Sequence, residues 1–181
     1  MSKIIFWFLT IDESVKKKFQ KIHPTLVSYS YVFQFINKTL KDKRGWSRFG
    51  YNFIAIDPES GFGLRKNKYK EFKVVHVRLS LNSVVSQICD FDGLSCADMS
   101  SDNIYFNAEN WIYGTKASGM SRENLKIYVI LHEFAHILGK GHKKCTNNEN
   151  DKCSIMYQQT ISKGCCKPNN WVLDSDYYDK Y

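Results

Sequence analysis

The stretch His132-Glu133-Phe134-Ala135-His136-Ile137-Leu138-Gly139-Lys140-Gly141-His142 decides the reading of this chain. Around it Leu125, Tyr128, Val129, Leu131, Ala135 and Leu138 recur at intervals of three to four, with Ser121 as a cap and Gly139 as a stop, so 121–139 predicts one amphipathic helix. On that helix His132 and His136 stand one turn apart on the same face. Both imidazoles can then reach one zinc ion at ~2.0–2.1 Å, while Glu133 can face a water on that ion. A left-handed turn at Gly139 would end the helix and swing the chain back, making His142 the third ligand. Three protein ligands with a fourth position open is the arrangement of a catalytic zinc, and Glu133 is then the candidate general base. With five His, seven Glu and ten Gly in 181 residues, these five fixed positions arise by chance on the order of 10⁻⁵ per chain. His23 and His76 match no such pattern and read as ordinary surface or core residues.

Working outward, 4–11 is an apolar run that reads as a buried first strand at least as well as a minimal signal peptide, because Asp12-Glu13 follows at once without a small-residue cleavage site. A basic link leads to a helix expected over 24–40, with Pro24 at its first position and Gly45 ending it. Strands are expected over 51–56 and 72–81, separated by a loop containing Gly61 and Gly63. A polar loop between Cys89 and Cys96 precedes a short strand at Ile104, Tyr105 and Phe106, and 114–119 is a flexible link. The last forty residues show little regular pattern and read as a loop-rich segment held by disulfides.

Composition narrows the classes. With 43% hydrophobic and 24% charged residues, one domain with one core is expected. No apolar run approaches the ~20 residues of a membrane span. The net charge of +8 falls heavily on two stretches, 16–44 and 65–73; it matches no nucleic-acid motif and reads as a solvated surface, with steering of acidic substrates as the sharper alternative. The six cysteines, Cys89, Cys96, Cys145, Cys153, Cys165 and Cys166, are even in number and lack any CxxC pair, which argues against a thiolate zinc site and favours three disulfides over six reduced thiols. Cys89 with Cys96 is the expected local bridge, and the other four should pair among themselves. Such bridges favour an oxidising compartment, with a secreted or particle-associated protein expected.

His132 to His142 resembles the long zinc signature of the metzincin clan of metallopeptidases, and Ser154-Ile155-Met156-Tyr157 resembles the clan's Met-turn. A longer stretch from Tyr128 to Trp171, with Met156-Tyr157-Gln158-Gln159-Thr160 and Pro168-Asn169, is similar to a bacterial domain family of unknown function predicted to be metzincin-like; Arg44-Gly45-Trp46 and the Cys89, Cys96 pair are weaker echoes. The resemblance implies an α+β zincin fold: a twisted mixed sheet with two main helices in an upper part, 1–139, and a small disulfide-stapled lower part, 140–181. It implies that Met156 floors the three histidines and that Ile104, Tyr105, Phe106 and Asn107 form the sheet edge receiving an extended peptide. It also makes Tyr157 the candidate transition-state contact, since Gln158 stands where some members carry that tyrosine. A monomeric zinc endopeptidase acting on peptides or proteins is the resulting expectation, without nucleic acid. A zinc amidase of a non-protein substrate and a silent zinc-holding binding module are the alternatives.

Overall fold

A computed structural model of the chain describes residues 3–66, 72–145, 151–162 and 164–178. The expected first strand is β1, Lys3–Ile11, and the basic link after it holds a short helix, α1, Glu13–Phe19. Three consecutive lysines mask this helix in the sequence, yet Val15 and Phe19, four apart, are both buried. The next helix, α2, covers Tyr29–Lys41 and starts five residues after Pro24, because Ser28 caps it by accepting from the Tyr31 N–H at 3.3 Å. After a 3₁₀ turn at Trp46–Phe49 come β2, Tyr51–Ala55, and α3, Pro58–Lys66.

Helix α3 corrects the loop expected around Gly61 and Gly63. A Cβ at Gly61 would lie 2.3 Å from the Phe8 ring, so the missing side chain is what lets α3 lie flat on the sheet. Strand β3, Lys73–Ser80, is followed by α4, Asn82–Cys89, and by β4, Cys96–Asp98; neither α4 nor β4 was expected. Then come β5, Asn103–Asn107, and three helices: α5, Ala108–Tyr113; α6, Arg122–Ile137; and α7, Asp174–Tyr178.

The five strands form one sheet in the order β2-β1-β3-β5-β4, parallel except for β4, which runs antiparallel to β5. Residues alternate between faces along a strand. On one face Ile5, Trp7, Leu9 and Ile11 of β1 and Val75, Val77 and Leu79 of β3 join the main core with α2 and α6. On the other, Phe8 stacks on His76 at 4.4 Å under α3, with Phe62 edge-on to both rings. The architecture is therefore mixed α+β, and β1 is apolar almost throughout because both of its faces are covered, whereas β3 alternates Val75, Val77 and Leu79 with His76, Arg78 and Ser80.

All six cysteines are paired, as Cys89–Cys96, Cys145–Cys165 and Cys153–Cys166. Three bridges are compatible with an oxidising environment. The C-terminal segment has no core apart from the rest: Ile155, Met156 and Val172 enter the same apolar cluster as Trp7 and Phe134. No helix among the described residues is long and apolar enough to cross a membrane.

Two expectations test this packing. Gly61→Ala should lower stability by about 1–2 kcal/mol in denaturant unfolding, since the clash with a buried ring outweighs the gain in helix propensity. Burial, with the charges of Arg65 and Arg78 beside it, pushes the His76 imidazole down to about 4, while its Nε2 lies 2.8 Å from the Thr10 hydroxyl. A group depressed on folding lends stability that is complete above its unfolded value of ~6.5 and is lost as pH falls through about 4. Between pH 7 and 4, His76→Phe should thus lose about 2–3 kcal/mol less stability than the native chain, as read from thermal melts.

Candidate metal centre

Helix α6 begins at Ser121, whose hydroxyl accepts from the Asn124 N–H at 3.3 Å, and it is buried along most of its length. Its end is built by Gly139, at φ +86. The Gly139 N–H donates to His136 O at 2.8 Å and the Lys140 N–H to Ala135 O at 2.9 Å, the paired bonds of a Schellman turn. Nothing would touch a Cβ at Gly139, so glycine is required there for conformation and not for space. The reversal turns the Lys140 carbonyl back onto His136, whose Nδ1 donates to it at 2.7 Å, and brings His142 beside both helix histidines.

The three Nε2 atoms stand 3.1–3.2 Å from one another. That triangle is small enough for one ion ~2.0–2.1 Å from each nitrogen to touch all three. His132 Nδ1 donates to the Ile155 carbonyl at 2.7 Å, as His136 Nδ1 does to Lys140, so in both rings the proton sits on Nδ1 and the Nε2 lone pair points into the cluster. Burial pushes the His132 imidazole down to about 3 and lowers His136 and His142 as well. Neutral rings with converging lone pairs are the donor set of a cation site. His132, His136 and His142 can hold a metal ion.

What orients His132 is a buried polar framework that sequence reading did not reveal. Asp176 of α7, fully buried, accepts from the Ile155 N–H at 3.1 Å, the Leu173 N–H at 2.9 Å and the Ser154 hydroxyl at 2.5 Å. It thereby clamps the turn whose Ile155 carbonyl receives His132. Tyr128, read from sequence only as an apolar helix position, donates its hydroxyl to Tyr157 O at 2.7 Å and accepts from the Gln159 N–H at 3.0 Å. Gln159 and Asn169, both buried, bond each other's amides across the same turn, with Asn169 N–H to Gln159 Oε1 and Gln159 Nε2 to Asn169 O each at 2.8 Å. Only the spacing of these polar residues to a methionine turn hinted at such a role, and that spacing has no period.

A cavity of about 720 Å³ opens over the histidines. Glu133 lines it from within α6, and burial pushes its carboxyl up to about 8. Met156 is fully buried in the turn beside His132. Tyr157, in contrast, does not line the cavity. Its ring lies against Gly164, where a Cβ would come within 2.5 Å of it, and Gln158 and Thr160 reach the cavity instead. The edge-strand expectation is also corrected: Ile104, Tyr105, Phe106 and Asn107 belong to β5, which is paired on both sides, and the sheet edge at the cavity is β4, the other edge being β2. A three-residue strand carrying Cys96 has too little apolar pattern to be read as a strand from sequence. None of the basic residues described in 16–44 or 65–73 lines the cavity, and 67–71 lie outside the described residues; among the described residues Lys140 is the one lysine in the wall.

A family described as "Protein of unknown function (DUF3152)" matches residues 25–177. The chain belongs to this family. The match takes in α2 through all but the last residue of α7, and with them His132, His136, His142 and the clamp residues Tyr128, Gln159, Asn169 and Asp176. No curated protein matches the chain.

Outer partners of metal-ligating histidines commonly govern affinity by 10–100-fold. Asp176→Asn, which removes one acceptor from the clamp, should therefore weaken zinc binding by roughly tenfold in a chelator competition while leaving the disulfides formed. Unchanged affinity would show that the turn holds His132 without the carboxylate.

Proposed function

We propose that the chain is a zinc-dependent endopeptidase of metzincin type. The observation that carries this reading is the meeting of three converging Nε2 atoms and the Glu133 carboxyl in one cavity beside an unpaired strand edge. Three imidazoles from a helix and its return turn would hold zinc and leave a position open to solvent. Zinc so held supplies a Lewis acid that polarises a carbonyl and brings the pKa of water to about 7.

The chain's own residues supply the remainder. Glu133 Oε takes the proton of the attacking water and hands it to the leaving amide nitrogen, a task that needs the ionised carboxylate, which a dication held by the three histidines would favour over the neutral form that burial prefers. The unpaired N–H and C=O groups of β4 hold an extended peptide by strand addition, which fixes the scissile bond without regard to side chains. Met156 and Ile155 keep the turn under His132 dry and rigid. A protein that only stored zinc would need the histidines but not Glu133 in the cavity, and this favours turnover over storage.

Glu133→Gln should keep about one zinc per chain and lower peptide cleavage by roughly 10²–10⁴. The measurement is chelator-sensitive, zinc-restored cleavage of a mixed peptide library, together with metal analysis of both proteins. Near-normal cleavage by the variant removes Glu133 from the chemistry, and cleavage indifferent to chelator removes the metal.

A further inference from the structure

The wall of the cavity facing the histidines is made by one short segment: the end of α4, the loop closed by Cys89–Cys96, and β4. This segment presents Ile88, Phe91, Leu94, Ala97 and Met99 to the cavity. Three of them are strongly exposed for apolar residues, Phe91 at 63%, Met99 at 59% and Ile88 at 41%. Large apolar side chains clustered at one opening are a binding surface more often than an accident of composition. Asp98, the acidic residue of this wall, is already committed, its carboxylate accepting from the Ser100 N–H and hydroxyl and from the Ser101 hydroxyl.

The wall is also held stiff from behind. The Asn82 side chain accepts from the Gly93 N–H at 2.9 Å and from Asn107 Nδ2 at 2.7 Å, and its own amide donates to Asp92 at 2.6 Å. Asn110 Nδ2 donates to Gly93 O at 2.6 Å, and the Asn107 N–H to the Ser95 hydroxyl at 3.0 Å. Left-handed backbone at Asp90, φ +56, and Gly93, φ +74, makes the loop tight enough for the bridge to close it. A loop of six residues between bridged cysteines, pinned by the disulfide in front and by three asparagines behind, loses little further entropy when a ligand settles on it.

We infer that this wall is a specificity surface that selects peptides by a large apolar side chain, seated between Ile88, Phe91, Leu94 and Met99 while the peptide backbone pairs with β4. The inference rests on the endopeptidase reading for its occupant, an extended peptide, and adds the class of side chain recognised. It replaces the acidic-substrate alternative, because the lysine-rich stretches give the cavity no described side chain and the wall itself is apolar.

The test separates binding from turnover. Two fluorescein-labelled peptides of equal length, one with central leucine and phenylalanine and one with aspartate in their place, are titrated by fluorescence polarisation into the zinc-loaded Glu133→Gln protein. The apolar peptide should bind at least tenfold more tightly. Adding Phe91→Ser or Ile88→Ser, both at exposed positions, should remove most of that difference. Phe62→Ser, at a phenylalanine 45% exposed on the other face of the sheet, should leave it intact. Equal binding of the two peptides, tighter binding of the aspartate peptide, or a preference unmoved by Phe91→Ser and Ile88→Ser overturns the inference. An apolar preference lost in those variants, with no cleavage of the same peptide by the native zinc-loaded protein, upholds the wall and overturns the endopeptidase reading instead.

Discussion

Three imidazole nitrogens held 3.1–3.2 Å apart, with their lone pairs converging, are a costly arrangement for a folded chain to maintain. Two of the rings are locked by Nδ1–H bonds of 2.7 Å to carbonyls that lie outside the helix, Ile155 for His132 and Lys140 for His136. Much of the molecule serves those two carbonyls. The Lys140 carbonyl comes from the Schellman turn at Gly139, so the device that ends α6 also sets the tautomer of its last histidine. The Ile155 carbonyl comes from a segment with almost no regular structure, and it therefore needs separate support.

That support is polar and covalent where elsewhere it is apolar. Asp176 caps the turn with three bonds, Gln159 and Asn169 brace it, and Cys153–Cys166 and Cys145–Cys165 tie together its flanks. Bridges of this kind restrict the unfolded chain most where a segment has little core of its own. The C-terminal segment is anchored to the body at a second place, where the Val172 N–H donates to Arg44 O at 3.2 Å and the Arg44 guanidinium lies 4.0 Å over the Trp171 ring. The adjacent Trp46 is fully buried and donates from its indole to Leu131 O at 2.9 Å, while Gly45 approaches α6 so closely that a Cβ would lie 3.1 Å from Leu131. Residues 44–46 thus hold the histidine helix and the histidine-supporting turn in one frame.

Helix α6 is pinned from its other side by a buried cation. Lys126 is only 2% exposed, donates to the Tyr31 hydroxyl at 3.1 Å, and lies about 5 Å from the ring centres of Tyr31, Phe35 and Trp111. The rings' negative faces offset part of its desolvation, and burial still pushes its ammonium down to about 8. Helices α2 and α5 are thereby fixed against α6, a contact that binary patterning marks as an error because it puts a lysine at a core position.

The sequence by itself determined the histidine constellation, the helix that carries it, the glycine that ends it and the pairing of Cys89 with Cys96. Each of these is local: period, cap and stop lie within a few residues of the groups they place. It also determined β1, whose apolar run stands out because both faces are covered, and β3, whose apolar residues alternate with Lys73, His76, Arg78 and Ser80. What only the tertiary structure decided depends on contacts between distant residues. Gly61 looks like a loop residue until Phe8 lies beneath it, and β4 is invisible until β5 is there to pair with it. Asp176 reads as one more surface acid until Ile155, from another part of the fold, turns its N–H toward it. Tyr157 neighbours the buried methionine in sequence, but the chain's path past Gly164 turns its ring away and gives the cavity Gln158 instead. Local periodicity records which face of an element is buried; it carries no record of what lies across from that face, and the clamp, the free edge and the cavity wall are all made there.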